Sequence, residues 1–204
     1  MHDITTDLFI DGAARPATGN ATYRLVNPAR PSEIVGHAAA AHADDVDAAM
    51  QAAQRALGGW SALSMEDRAA HLRTVAESLN ADAAETAARA RLLTREHGKT
   101  LFETNIEVTR LADRFAQVAG FADRVAAEDT VSGPMFDSVV TRTPRGVTLL
   151  IVPWNWPLAI LGSKLPHALL AGNSVVIKLS EFATLAPAQT IMKIAAMLPP
   201  GVIN

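Results

Sequence analysis

The stretch Val147-Thr148-Leu149-Leu150-Ile151-Val152-Pro153-Trp154-Asn155-Trp156-Pro157 decides the fold. Its first six residues are apolar except for Thr148, the pattern of a strand buried on both faces of a parallel sheet. Pro153 can end strand pairing, and Pro157 suits the first turn of a following helix. Residues 158–170 are then apolar over a helix's length, 174–177 read as a second short buried strand, and 187–198 read as another helix. Strand, helix, strand, helix implies a right-handed parallel crossover, and so the start of a Rossmann-like α/β sheet. Ligands of such sheets bind at the carboxyl ends of the strands, and Asn155 sits at one of them.

Upstream, Pro144-Arg145-Gly146 makes a turn, and the β-branched run Val139-Val140-Thr141 reads as a strand. Four helical segments come before it. The first begins at Asp44, repeats Val46, Met50, Ala53 and Leu57 at helical spacing, and ends at Gly58-Gly59. The second opens on Ser64 as a cap and aligns Leu72, Val75, Ala76 and Leu79. A third runs from Asp82 to Glu96 and stops at Gly98, and a fourth places Leu111, Phe115, Val118 and Ala122 on one stripe. The first forty residues read as short strands and turns. Leu8-Phe9-Ile10 enters a tight Asp11-Gly12 turn, while Asn27-Pro28 and Arg30-Pro31 mark loops. The expected organisation is a helical region with short strands over 1–143, then the first part of a dinucleotide-binding α/β domain over 144–204.

Composition narrows the function. The 204 residues carry 18 basic and 21 acidic side chains, a net charge of −3. That balance argues against nucleic acid as a partner, because phosphate binding needs excess Lys and Arg. There is no cysteine, so a disulfide scaffold, a thiolate zinc site and a cysteine nucleophile are all excluded from these residues. The histidines at 2, 37, 42, 71, 97 and 167 show no metal-ligand spacing, and no metal is expected. The most apolar stretch, 147–162, is broken by Pro153, Asn155 and Pro157 well short of the about 20 residues a membrane span needs. No basic start followed by an apolar run opens the chain, so a cytoplasmic location is expected. Neither GxGxxG nor a phosphate loop is present.

Two runs can carry chemistry. Asn155, held between Pro153 and Pro157, offers an uncharged amide donor suited to a developing oxyanion. The plainer reading makes it a cap for the next helix, with Trp154 and Trp156 as core filler. Lys178-Leu179-Ser180-Glu181 follows the apolar run Val175-Val176-Ile177, again at a strand's carboxyl end. There a Lys can donate to ribose oxygens and a carboxylate can accept from ribose hydroxyls. A solvated turn with a capping Ser fits the same residues. Glu96-His97-Gly98-Lys99 reads most simply as a helix terminus.

Taken together, in their order and spacing, these runs resemble the NAD(P)-dependent aldehyde dehydrogenase superfamily over essentially the whole chain. The resemblance rests on Leu8-Phe9-Ile10-Asp11-Gly12, Asn27-Pro28, Asp45-Val46-Asp47-Ala48-Ala49, Trp60 and Glu96-His97-Gly98-Lys99. It continues through Arg142, Pro144, Gly146-Val147, Pro153-Trp154-Asn155-Trp156-Pro157, Lys164, Pro166 and Ala171-Gly172-Asn173. It closes on Val175 to Glu181 and on Leu198-Pro199-Pro200-Gly201-Val202-Ile203-Asn204. The resemblance implies that Asn155 stabilises the oxyanion of a thiohemiacetal. It implies that Ile151, Val152, Pro153 and Trp154 line the nicotinamide-ribose side of the cofactor cleft, and that Lys178, Ser180 and Glu181 meet the adenosine ribose. Leu179 departs from a common proline and should loosen its turn slightly, and Trp156 replaces a usual phenylalanine. The implied activity is oxidation of an aldehyde to a carboxylic acid with NAD, NADP being possible.

The family's nucleophilic cysteine, general-base glutamate and glycine-rich cofactor turn lie downstream of the segment that resembles Pro-Pro-Gly-Val-Ile-Asn. The expectation is therefore an N-terminal fragment, inactive alone, or a non-catalytic cofactor-binding or interaction protein. Strands resembling residues 135–142 join subunits in the family, so a homo-oligomer is expected of a complete enzyme.

Overall fold

The computed structural model describes residues 4–204. The N-terminal strands are β1 (Ile4–Thr6), β2 (Leu8–Ile10), β3 (Ala13–Arg15), β4 (Thr22–Asn27) and β5 (Arg30–Ala39). They form a sheet of order β1-β5-β4 and a separate β2-β3 hairpin. Asp11 and Gly12 turn that hairpin with φ of 55° and 80°, the positive angles that favour Asp-Gly. Arg30-Pro31 is the start of β5 and not a loop. Pro31 is tolerated because it lies beside the register irregularity at Val26 and Asn27, where ladder bonding is interrupted.

Five helices follow: α1 (Ala43–Ala62), α2 (Met65–Leu79), α3 (Ala83–His97), α4 (Leu101–Ala119) and α5 (Ala122–Ala126). Gly58-Gly59 does not end α1. Trp60 is fully buried and donates its indole N–H to the Leu169 carbonyl at 3.0 Å. That anchor outweighs a helix-propensity cost of about 1 kcal/mol per glycine. The buried face of α1 is also rotated by one residue from the expected stripe. Val46 and Met50 are exposed, while Asp45, Ala49, Ala52 and Ala53 face inward. Asp45 sets this rotation by accepting from the His42 and Thr18 amides and from the Thr18 hydroxyl at 2.9–3.0 Å. The expected stripes of α2 and α4 hold, although Gly120 ends α4 so that Ala122 belongs to α5.

Helix α3 ends on Gly98 at φ 84°, and a Cβ there would stand 2.6 Å from Pro28 Cγ. Gly98→Ala should therefore cost at least about 1–2 kcal/mol from the left-handed backbone alone. Urea denaturation checks this, and an unchanged midpoint would refute it.

The hairpin β6 (Asp129–Ser132) and β7 (Asp137–Val140) is exposed along both strands. Next come β8 (Val147–Ile151), α6 (Pro157–Gly162), α7 (Leu165–Leu170), β9 (Ser174–Lys178) and α8 (Leu185–Ala195). The apolar stretch 158–170 thus makes two helices where one was expected. Pro166 has no N–H to offer the Gly162 carbonyl four residues back, and its ring crowds that position. Strands β8 and β9 run parallel with Val147 opposite Ser174 and Ile151 opposite Lys178. On the far edge of β9 the backbone of Val202 and Asn204 already pairs with Val175 and Ile177.

Strand β8 is not buried on both faces. Leu150 is 7% exposed, but Leu149 and Ile151 are 55% and 62% exposed because that face floors an open groove. One buried cluster runs from Leu25 and Val35 through α2 and α4 to Leu150, Val175 and Ile203. Among the described residues, no helix is long and apolar enough to cross a membrane.

Candidate functional site

Both chemistry-bearing runs emerge at one sheet edge. The Val152 amide donates to the Lys178 carbonyl at 3.0 Å, so the turn 153–156 and the turn 179–184 leave the sheet side by side. Asn155 is exposed, and its side chain makes no hydrogen bond within the described residues. The reading of Asn155 as a helix cap is not realised. The first amides of α6, those of Leu158 and Ala159, instead donate to Glu107 Oε1 at 2.7 and 3.1 Å. Nor are the tryptophans plain core filler. Trp154 is 53% exposed and lies 5.5 Å from the His97 ring, and the Lys99 ammonium sits 3.6 Å above the Trp156 ring.

On the second turn, Lys178 and Glu181 are exposed and 3.4 Å apart. The backbone N–H of Glu181 itself, then Lys178, hold the Glu181 carboxyl below its usual range, so it is an ionised acceptor. Ser180 is buried. Its hydroxyl accepts from the Phe182 amide, and its carbonyl accepts from the Thr184 hydroxyl at 2.7 Å, which also bonds the Tyr23 hydroxyl at 2.7 Å. These bonds pin the turn around Leu179. Val152 is buried, whereas Ile151 is exposed.

The structure brings Ile151, Lys178 and Glu181 to the lining of one apolar groove of about 590 Å³, shared with Leu149 and Val46. Trp154 and Asn155 lie outside that lining. At the charged end of the groove the Glu181 carboxylate and the Lys178 ammonium, paired at 3.4 Å, stand together at the edge of an apolar floor.

Three charged residues that the sequence reading left as a helix terminus, or did not single out, hold these turns. Glu96 is 3% exposed and accepts from the amides of Thr184, Leu185 and Ala186 at 2.6–2.8 Å, capping α8 directly after the Lys178–Glu181 turn. Burial lifts its carboxyl to about 7 in spite of those donors. Glu107 caps α6 and pairs with Lys99 at 2.7 Å, both being almost fully buried. Burial, then the Lys99 charge, hold the His97 imidazolium below its ordinary pKa. A signal for Glu107 was present in the sequence. It lies four residues before Leu111 and eight before Phe115, on the apolar stripe where a carboxylate has no business unless it is paired.

The aldehyde dehydrogenase family model matches residues 15–204. Aminoaldehyde dehydrogenase 1, peroxisomal, from Malus domestica is 35% identical over 97% of this chain and 40% of its own length. An NAD-dependent aldehyde dehydrogenase from Sinorhizobium meliloti superposes with a TM-score of 0.90 at 30% identity, covering all of this chain and 41% of that one. An NADP dependent enzyme from E. coli gives a TM-score of 0.88 at 32% identity, over 98% of this chain and 41% of that one. The chain spans about 40% of the length of the curated relatives it matches.

Proposed function

Because the chain belongs to the aldehyde dehydrogenase family, we propose that it supplies the oxyanion donor and the ribose-binding edge of an enzyme oxidising an aldehyde to a carboxylic acid with NAD(P). The observation that carries this reading is the state of Asn155. Its amide is exposed at the carboxyl end of β8 and makes no bond among the described residues, because Glu107 has taken over the capping of α6. An amide so placed can donate to an oxygen that gains charge when a thiolate attacks an aldehyde. The cofactor, when bound, accepts the hydride. Lys178 and Glu181, with Ser180 beside them, would hold the adenosine ribose, and Ile151, Val152, Pro153 and Trp154 would line the nicotinamide-ribose side.

Glu181 favours NAD, since a carboxylate at the ribose repels a 2′-phosphate, while Lys178 keeps NADP within reach. A cytoplasmic location, homo-oligomerisation through the β6–β7 hairpin, and a division of the chain near residue 144 belong to the same proposal.

With no cysteine among its 204 residues, the chain alone should produce no NADH from propanal or benzaldehyde. Grafted in place of the matching segment of the Sinorhizobium meliloti enzyme, which brings the remaining residues, it should support turnover. A graft that folds and binds NAD without turnover would favour a non-catalytic, cofactor-binding role for these residues. In an active graft, Lys178→Ala and Glu181→Gln should raise the Kd for NAD by about tenfold, leaving kcat at saturation near normal, because ribose contacts act as uniform binding. Fluorescence titration paired with saturation kinetics checks this. A loss confined to kcat would contradict it.

A further inference from the structure

Building on the reading of Asn155 above, we propose that the buried pair Lys99 and Glu107 are positioning residues that fix the 153–157 turn. The turn has little of its own to hold it. Trp156 stands at the N-cap of α6 without a side-chain cap bond, and α6 is only six residues long, too short to be stable alone. Its fixed points come from the α3–α4 corner. Glu107 Oε1 accepts from Leu158 and Ala159, while Oε2 accepts from Lys99. The same ammonium lies on the Trp156 ring, and the His97 ring lies against Trp154. Residues on both sides of Asn155 are therefore gripped, while the exposed Asn155 amide makes no hydrogen bond among the described residues.

Stability does not account for this arrangement. Glu107 has no exposed side-chain surface and Lys99 is 6% exposed, so both charges bear a desolvation penalty that apolar residues on the α4 stripe would avoid. What a buried pair supplies in exchange is direction. The carboxylate accepts two amides and one ammonium in a single geometry, and the ammonium passes that geometry to the indole. A carboxylate without Lys99 would be an unpaired buried charge and would pull the turn toward water.

The test uses the 204-residue chain labelled with 15N and 5-fluorotryptophan, with the Trp156 signal assigned by Trp156→Phe. Lys99→Met should speed amide exchange at Leu158 and Ala159 by at least about tenfold relative to Leu72 and Val175, which report global opening. It should also shift the 19F resonance of residue 156. Lys99→Arg, which keeps the cation over the ring, should restore both to within about threefold of the parent. Should Lys99→Met unfold the chain, the neutral pair Lys99→Met with Glu107→Gln is read instead, and the same local loosening and shift are expected. Exchange that rises equally at all four amides, or a 19F signal that does not move, overturns the proposal. None of these readouts involves turnover. If Asn155 proves dispensable for catalysis while the turn still loosens, the oxyanion reading falls and the positioning role stands.

Discussion

Asn155→Ala in an active graft is expected to lower kcat by ~10²–10³, the cost of losing one oxyanion donor, or about 2.7–4 kcal/mol. Affinity for NAD should change far less, since the amide donates most strongly to a charge that exists only during the reaction. The structure adds a control. Leu158 and Ala159 bond to Glu107 and not to Asn155, so the substitution removes no helix cap. Thermal stability should therefore be unchanged, whereas loss of a true N-cap costs about 1 kcal/mol. Stopped-flow and steady-state turnover at saturating cofactor, with a melt of the same sample, separate the two. Near-normal turnover would sink the oxyanion role, and a lowered melt with normal turnover would return Asn155 to a structural part.

The second large effect concerns Glu96 and pH. Its folded carboxyl is raised to about 7 by burial, so the folded chain holds that proton more tightly than the unfolded chain does. The associated stability is full below the unfolded value near 4.5 and is lost as pH rises toward 7. At about 1.4 kcal/mol per unit, the loss across that window is about 3 kcal/mol. His97 works in the opposite sense. Its depressed pKa costs stability as the pH falls below its ordinary value. The informative quantity is therefore the difference between the parent and Glu96→Gln in urea unfolding from pH 4.5 to 7.5. The parent should lose stability relative to the glutamine variant as pH rises. The reverse slope would mean that the three amides of Thr184, Leu185 and Ala186 hold the carboxylate ionised and outweigh its burial. Either way the turn carrying Glu181 should respond, because Thr184 links the α8 terminus to Ser180 and Tyr23.

Much of the fold was legible from local chemistry. Asp11-Gly12, Ser64 and Gly98 mark their turn and helix ends by a side-chain acceptor or by backbone freedom that acts over a few residues, and the structure uses each that way. The apolar runs at 147–152 and 174–177, with Pro153 and Pro157 between them, likewise determined a parallel pair with Asn155 and Glu181 at its carboxyl edge. Where the reading erred, a distant partner had outweighed local propensity. Trp60 carried α1 through Gly58-Gly59 by packing on α7, and Asp45 turned the helix by reaching Thr18. What only the tertiary structure decided is who holds the site. Glu96 and Glu107 are 88 and 51 residues away from the nearest amides they cap. Periodicity can place a carboxylate on a buried stripe, but it carries no information on which helix terminus will neutralise it.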